Sequence, residues 1–275
     1  MIMKPGPIGV FDSGYGGLTV LKEFVKKLPQ YDYFYLGDNA RAPYGSRSYD
    51  TVYEYTFECV NRLFSEGCHL VILACNTASA KALRTIQQKD LHRFDSKKRV
   101  LGVIRPTTEI VKHYTQTNHV GIFATSGTVS SQSYPIEINK FYPEIMVHQE
   151  ACPMWVPLVE NNEIGNPGTA YFIQKHVDAL LSKSSNIDTI ILGCTHYPLL
   201  LNQLRKFVPE HIKIVSQGEI VANSLQDYLL CHTELEFLCS KNSQVSFNTT
   251  DFPENFDKGA SVFFGTDVKS KHILL

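Results

Sequence analysis

The chain has 275 residues, and its 26 Lys and Arg against 27 Asp and Glu give a formal net charge of −1. This balance provides no basic field that would attract nucleic acid or an acidic membrane surface, so we exclude both as partners. Residues 1–10 lack the apolar run of a signal peptide, and no later segment reaches the roughly 18 unbroken apolar residues of a membrane helix. We therefore expect a cytoplasmic protein that acts on a small molecule and is long enough for two domains.

The seven cysteines form no CxxC pair, and none of the ten histidines falls into a zinc-binding spacing. Their odd number and scattered positions favour reduced thiols over a disulfide framework, and we expect no metal site. Five of the cysteines are interpreted as small buried hydrophobic residues without a chemical role: Cys59, Cys68, Cys152, Cys231 and Cys239.

The first predicted elements are a strand at residues 8–11, a glycine-rich turn at 12–17 and a helix that begins at Leu18. The same pattern returns at residues 120–129, where Val120 stands 112 positions after Ile8. A second pair of strand, turn and helix places Cys194 119 positions after Cys75. Two matches at nearly the same offset indicate a duplicated α/β unit.

We therefore predict an α/β fold of two similar parallel-sheet domains, related by pseudo-two-fold symmetry, with the active site between them. The predicted domains comprise residues 1–104 together with 217–275, and residues 105–216. The tail has weak strand signals at residues 240–258, and the apolar run at 261–265 predicts an edge strand.

Four polar residues follow predicted strands directly: Asp12, Cys75, Thr125 and Cys194. Ligands of parallel α/β sheets bind at these strand ends, and a helix N-terminus beside a cysteine is expected to lower its thiol pKa. If the two halves face each other, Cys75 and Cys194 approach one ligand from opposite sides. Two such thiols suit a racemase or epimerase, which takes a proton from one face of a carbon and returns one to the other.

Hydrogen-bond donors beside each cysteine predict an anion site, because the substrate carboxylate gains charge as the α-proton leaves. The donors are Asn76 with Thr77 and Thr195 with His196. The candidates for binding a second carboxylate are Ser13, the backbone of residues 14–17, and Tyr44 with Gly45. Asp12 is the candidate proton partner of Cys75, and His196 that of Cys194.

Five blocks of the chain resemble the signature blocks of glutamate racemases, in the family's order. They are DSGYGGL at 12–18, GDN at 37–39 with PYG at 43–45, ACNTA at 74–78, PMWVPLVE at 153–160 and GCTHYPL at 193–199. The resemblance implies a two-domain α/β enzyme that needs no pyridoxal phosphate, metal or other cofactor and supplies D-glutamate for peptidoglycan.

By the same resemblance, Cys194 acts on the L-enantiomer and Cys75 on the D-enantiomer, with Glu160 as an electrostatic neighbour. The implied acid/base pair is Cys75 and Cys194, and their proton partners Asp12 and His196 complete the candidate catalytic residues. The implied substrate contacts are Asp12, Ser13, Tyr44, Gly45, Asn76, Thr77, Thr195 and His196.

Three alternatives remain at this point. An aspartate racemase shares the paired cysteines, and a catalytically silent amino-acid-binding regulatory protein could keep the same pocket. A dinucleotide fingerprint at residues 14–19 is disfavoured, because Thr19 stands where the third glycine is required. The sequence leaves a homodimer open.

Overall fold

The computed structural model describes residues 4–275, so the first three residues of the N-terminal stretch lie outside it. The strands of this range are β1 (Ile8–Asp12), β2 (Tyr33–Gly37), β3 (Leu70–Leu73), β4 (Arg99–Gly102), β5 (His119–Ala124), β6 (Met146–Ala151), β7 (Thr189–Gly193), β8 (Lys213–Val215), β9 (Val245–Thr249) and β10 (Ser270–His272). The α-helices are α1 (Leu18–Lys27), α2 (Tyr49–Ser65), α3 (Asn76–Lys81), α4 (Leu83–Thr85), α5 (Ile104–Ile110), α6 (Ser126–Ser130), α7 (Ser133–Phe141), α8 (Trp155–Glu160), α9 (Pro167–Leu181), α10 (Leu201–Leu204), α11 (Gly218–Cys231), α12 (Thr233–Glu236) and α13 (Pro253–Phe264). Short 3-10 turns lie at Asn39–Arg41, Leu91–Arg93, Val111–His113 and Tyr197–Leu200, and a π-helical turn at Ile86–Asp90.

The strands form two sheets in which every neighbouring pair is parallel. The first sheet has the order β10-β9-β2-β1-β3-β4, and the second has the order β6-β5-β7-β8. The order β2-β1-β3-β4 therefore recurs as β6-β5-β7-β8, and the first sheet adds β9 and β10 beyond β2. The predicted α/β fold with two parallel sheets is confirmed, and the shared strand order agrees with the predicted repeat.

The chain passes from the first sheet to the second after β4 and returns after β8. The side chain of Gln217 joins the two crossings, since its Nε2 donates to the carbonyl of Val103 at 3.1 Å and to Oγ1 of Thr107 at 3.0 Å. The sheet limits are compatible with domains of 1–104 plus 217–275 and 105–216, although that division stays a prediction.

The central strands are buried on both faces, as their continuous apolar runs predict. In β1, Ile8 and Val10 belong to the largest apolar cluster, while Phe11 on the opposite face belongs to a second one. The largest cluster also contains Phe123 of β5 and Leu192 of β7. One continuous core therefore joins the two sheets and holds their strand ends in a fixed relation.

The predicted edge strand at residues 261–265 is wrong, because these residues end helix α13. Pro253 stands at the first helical turn, and the helix stops at Gly265, whose φ of 90° lies in the left-handed region. Phe256, Ala260 and Phe263 are buried at helical spacing, whereas Val262 is 61% exposed. The weak strand signals upstream correspond to β9, and the edge strand is β10.

All seven cysteines are free thiols, and four of the five assigned to the core are buried. Cys231 is exposed, which corrects the prediction for this residue. It is the last residue of α11 and lies two positions beyond the buried Leu229, so the helix turns it away from the core. Across residues 4–275, no helix combines the length and the apolar character needed to cross a membrane.

Candidate active site

A cavity of about 150 Å³ lies between the carboxyl ends of the two sheets and contains both candidate cysteines. Ligand sites of drug-sized molecules usually have about 300–1,000 Å³, so this cavity suits a small metabolite. Two larger grooves, of about 1180 and 750 Å³, contain neither cysteine. The lining residues are Ser13, Ala42, Pro43, Tyr44, Gly45, Ser46, Cys75, Asn76, Thr77, Thr125, Ser126, Pro153, Val156, Pro157, Glu160, Cys194, Thr195 and His196.

The parallel strands explain why residues so distant in sequence meet here. Cys75 follows β3 and stands at the N-cap of α3, and Cys194 follows β7 directly. Because β3 and β7 hold equivalent places in the two sheets, the two thiols enter one cavity from different halves. The structure thus brings the two predicted acid/base residues together.

Cys75 is 6% exposed, and its Sγ lies 3.5 Å from Oγ of Ser13. Burial, followed by the charge of Asp12, raises the pKa of the Cys75 thiol to about 12, although the Ser13 hydroxyl and the Ala78 amide act in the opposite direction. The predicted lowering of the thiol pKa is therefore wrong for Cys75, because burial outweighs the helix N-terminus. Cys75 is a protonated thiol at neutral pH.

Cys194 has a different environment, with its Sγ 3.9 Å from Nδ1 of His196. The other ring nitrogen, Nε2, lies 2.9 Å from Oε1 of Glu160. Burial lowers the pKa of His196, but the hydrogen bonds to Cys194 and Glu160 outweigh it and raise the pKa to about 10. His196 is therefore an imidazolium at neutral pH, and it places a positive charge beside the Cys194 sulfur.

Asp12 is fully buried at the end of β1 and is absent from the residues that line the cavity. Its Oδ1 accepts a hydrogen bond from the Gly14 amide at 2.9 Å, while Oδ2 has no partner within residues 4–275. Burial raises the pKa of Asp12, and the nearby His196 charge lowers it in part. Asp12 therefore does not line the cavity, although its charge reaches Cys75 and raises the pKa of that thiol.

The predicted anion-binding residues Asn76, Thr77 and Thr195 all line the cavity. The amide nitrogen Nδ2 of Asn76 is buried without a hydrogen-bond partner in the described chain. A buried donor of this kind costs free energy until an acceptor reaches it. The Thr77 hydroxyl contacts that of Thr125 at 2.9 Å, so the two halves share a row of hydroxyl groups.

The loop with Tyr44 and Gly45 reaches the cavity in a way that the sequence did not indicate. The Tyr44 ring is buried against Phe11, and its hydroxyl donates to Asp38, so the phenol is already engaged. The Gly45 carbonyl accepts from the Gly127 amide at 2.8 Å. Tyr44 therefore anchors the loop and leaves its backbone at the cavity wall.

Gly16 lies where the glycine-rich turn of the first half touches the second. A Cβ at this position would lie 2.1 Å from Oγ1 of Thr195 and 2.5 Å from Nδ1 of His196. The glycine thus permits a close approach between two loops, in addition to forming a tight turn.

Several lining residues were missed as ligand contacts. Thr125 was recognised as a strand-end residue, and its repeat equivalent Ser13 lines the same cavity. Pro153, Val156 and Pro157 belong to the block that ends at Glu160, and α8 carries most of this block into the cavity wall. Their apolar side chains did not indicate a ligand contact, although the segment was already known to resemble a signature block of the family.

The model of the family described as Asp/Glu/Hydantoin racemase matches residues 8–225. A curated glutamate racemase of Persephonella marina is 38% identical over 261 residues, which cover 95% of this chain and 94% of that protein. The chain belongs to the Asp/Glu/hydantoin racemase family. It is accordingly an isomerase of the racemase class.

Solved structures agree with membership of this racemase family. A glutamate racemase isoform from Bacillus anthracis superposes with a TM-score of 0.88 at 32% identity, covering 98% of both chains. A glutamate racemase from Francisella tularensis, solved in complex with D-glutamate, gives a TM-score of 0.87 at 30% identity and 98% coverage of both chains. The resemblance that the sequence motifs predicted is confirmed.

Proposed function

We propose that this protein interconverts L-glutamate and D-glutamate without a cofactor, using Cys75 and Cys194 as two bases on opposite sides of the substrate α-carbon. The observation that carries the proposal is the entry of both thiols, from different halves of the molecule, into one cavity of about 150 Å³. A single nucleophile with one orienting base would not require a second, equivalent cysteine.

The environments of the two thiols support opposite protonation states, which a two-base racemisation requires. The His196 imidazolium lies beside the Cys194 sulfur, where its charge attracts a negative one, and the raised pKa of Cys75 keeps its proton in place. The substrate-free enzyme is therefore prepared to deprotonate on the Cys194 side and protonate on the Cys75 side. By the resemblance given above, this corresponds to the conversion of L-glutamate to D-glutamate.

In that direction the Cys194 thiolate takes the proton from Cα, and the electron pair left behind spreads into the α-carboxylate. The amide of Asn76 and the hydroxyls of Thr77 and Thr195 are the donors that stabilise this charge. The Cys75 thiol then gives its proton to the opposite face of Cα. The step leaves Cys194 protonated and Cys75 as a thiolate, and exchange with solvent restores the starting state.

The reverse reaction requires a thiolate at Cys75, and we propose that the buried Asp12 carboxylate, whose charge reaches this thiol, accepts its proton. The unpartnered Oδ2 and the raised pKa of Asp12 support this role. Asp12 is therefore the proposed proton partner of Cys75, and His196 is that of Cys194.

Glutamate is proposed over aspartate because of the curated relatives, and the size difference is a weak discriminator. One methylene in a pocket is worth only about 1–3 kcal/mol, or roughly 10–200-fold in rate. The test is circular dichroism of purified protein incubated with L-glutamate and, separately, L-aspartate. We expect a faster loss of signal with L-glutamate. Faster loss with L-aspartate would identify an aspartate racemase, and binding without any loss would identify a silent binding protein.

A second experiment tests the two-base mechanism. When unlabelled L-glutamate reacts in D2O, early D-glutamate should carry deuterium at Cα while the remaining L-glutamate stays mostly protiated, since each thiol delivers a solvent-derived deuteron to its own face. Cys75→Ser and Cys194→Ser should each remove nearly all racemisation, because a serine hydroxyl is a far weaker acid than a thiol. D-glutamate that retains protium would instead indicate one base that serves both faces.

We further propose that the product supplies peptidoglycan synthesis and that the enzyme works in the cytoplasm. The curated relatives support the first proposal, since D-glutamate is the product that the resemblance implies. A mechanism based on two free thiols supports the second, because the cytoplasm keeps cysteines reduced. Depletion of the protein in its host should cause lysis that added D-glutamate prevents, and continued growth without D-glutamate would contradict the proposal.

A further inference from the structure

A buried tyrosine of the second half contacts the substrate cavity indirectly, through Asn76. Tyr134, near the start of α7, is 0% exposed, and its hydroxyl donates to Oδ1 of Asn76 at 2.8 Å. Asn76 is the first residue of α3, which follows β3 in the first half. The hydrogen bond therefore connects one half of the molecule to a cavity-lining residue of the other.

The contact determines which end of the Asn76 carboxamide faces the cavity. A carboxamide has an acceptor oxygen on one side and a donor NH2 group on the other. Tyr134 occupies the oxygen, and Nδ2 has no partner among residues 4–275 although Asn76 is only 2% exposed. The remaining direction for Nδ2 is the cavity that Asn76 lines.

The surroundings of Tyr134 hold its hydroxyl in place as a donor. Burial raises the pKa of Tyr134 above its ordinary value, so the phenol keeps its proton. The ring packs on Gly193, where a Cβ would lie 3.1 Å from Cε2 of Tyr134. Gln217, which joins the two chain crossings, lies beside the same hydroxyl.

We propose that Tyr134 is a positioning residue for substrate binding, which orients the Asn76 carboxamide so that Nδ2 donates to a substrate carboxylate. The inference rests on the proposed function, because it requires an anionic amino acid in the cavity. Without the Tyr134 hydroxyl, the carboxamide can rotate and present its oxygen to the carboxylate. Two acceptors would then face each other, and affinity would fall.

The test is Tyr134→Phe, which removes the hydroxyl and keeps the ring on Gly193. Loss of one oriented hydrogen bond should lower kcat/KM for glutamate by roughly three- to tenfold, mainly through a higher KM, because the contact exists in the ground state as well as in the transition state. Tyr142→Phe is the matched control, since its hydroxyl donates to the Glu109 carbonyl at 2.6 Å away from the cavity. It should leave KM unchanged.

A double-mutant cycle separates positioning from general structural damage. If Tyr134 acts through Asn76, Tyr134→Phe should have no further effect on kcat/KM in the Asn76→Ala background. Effects that multiply in the double variant would overturn the proposal. The shift in unfolding temperature caused by D-glutamate is measured on the same samples, because it reports binding even when a variant is less stable. That shift should be smaller in Tyr134→Phe than in wild type, and an equal shift would also overturn the proposal.

The wild-type protein provides the reference for both experiments. If wild type does not racemise glutamate, the proposed function fails. If wild type is active and Tyr134→Phe has the wild-type KM, only the role of Tyr134 fails.

Discussion

The sharpest structural prediction concerns Gly16, at the contact between the two halves. In Gly16→Ala the new Cβ would lie 2.1 Å from Oγ1 of Thr195 and 2.5 Å from Nδ1 of His196. An ordinary contact is roughly 3.5 Å, so the nearer atom would have to move by more than about 1 Å. Both atoms belong to the loop that follows β7 and carries Cys194.

The required movement determines the size of the expected effect. Overpacking of a buried site typically costs about 1–3 kcal/mol, which is less than the roughly 5–15 kcal/mol by which native proteins are usually stable. A displacement of about 1 Å in a catalytic group can lower a rate by on the order of 10²-fold. We therefore expect Gly16→Ala to lose most of its turnover while it remains folded.

The matched control is Gly14→Ala in the same turn. A Cβ there would lie 3.6 Å from Nδ2 of Asn39 and from Oε1 of Glu160, which is ordinary contact. Neither glycine has a positive φ, so backbone strain does not distinguish the two variants. Racemisation is measured by circular dichroism and stability by thermal unfolding. A Gly16→Ala enzyme as active as Gly14→Ala would refute the argument.

Four further predictions concern the buried titratable groups. Asp12→Asn should lower turnover in both directions. It should also raise the free energy of unfolding at neutral pH by about 1 kcal/mol, or the unfolding temperature by roughly 2–4 °C, because it removes a buried carboxylate with an unpartnered oxygen. A lower unfolding temperature would contradict this prediction. His196→Asn should lower kcat most for L-glutamate. The KM for L-glutamate should fall in step, because the two enantiomers have equal free energy and must therefore have equal kcat/KM. Equal changes of kcat in both directions would limit His196 to shaping the pocket. Because the pKa of His196 is raised to about 10, its contribution to stability is complete below about pH 6.5 and is lost as the pH rises through 10. Between these two pH values, the free energy of unfolding measured with urea should therefore fall more in wild type than in His196→Asn. Cys152→Ser should remain folded and active with a stability loss of about 1–3 kcal/mol, and a folded but inactive variant would show that Cys152 has a chemical role.

Much of the fold could be predicted because the buried strands have continuous apolar runs and repeat at a nearly constant offset. The strand, turn and helix around Cys75 recur around Cys194, and this repeat predicted both sheets and the cavity between them. The same reasoning failed at residues 261–265, because a short apolar run does not distinguish a strand from the buried turn of an amphipathic helix. It also failed for Cys231, whose exposure depends on the direction in which α11 ends.

Most residues that line the candidate cavity could be named from the sequence, but their electrostatics could not. The sequence alone places Cys75 at the start of a helix. The burial that raises its pKa to about 12 depends on residues from both halves and could not be read from the sequence. In the same way, Tyr44 could be assigned to the cavity, but the engagement of its hydroxyl by Asp38 required coordinates. Tyr134 had no local signal at all, because its role depends on a contact with Asn76 across the two halves.

The place of β9 has a consequence for how the chain is made. Its partner β2 is synthesised first, and Val245, which pairs with Tyr33, follows 212 residues later. At a translation rate of about 5–20 residues per second, the backbone N–H and C=O groups on the outer edge of β2 stay unpaired for roughly 10–40 s during synthesis. An unpaired edge of this kind is a template for aggregation, whereas the finished sheet ends in β10, a three-residue strand that carries Lys271. A nascent chain that stops before β9 therefore exposes an unpaired sheet edge that can aggregate, and the segment from β9 to β10 protects the first sheet by pairing with that edge.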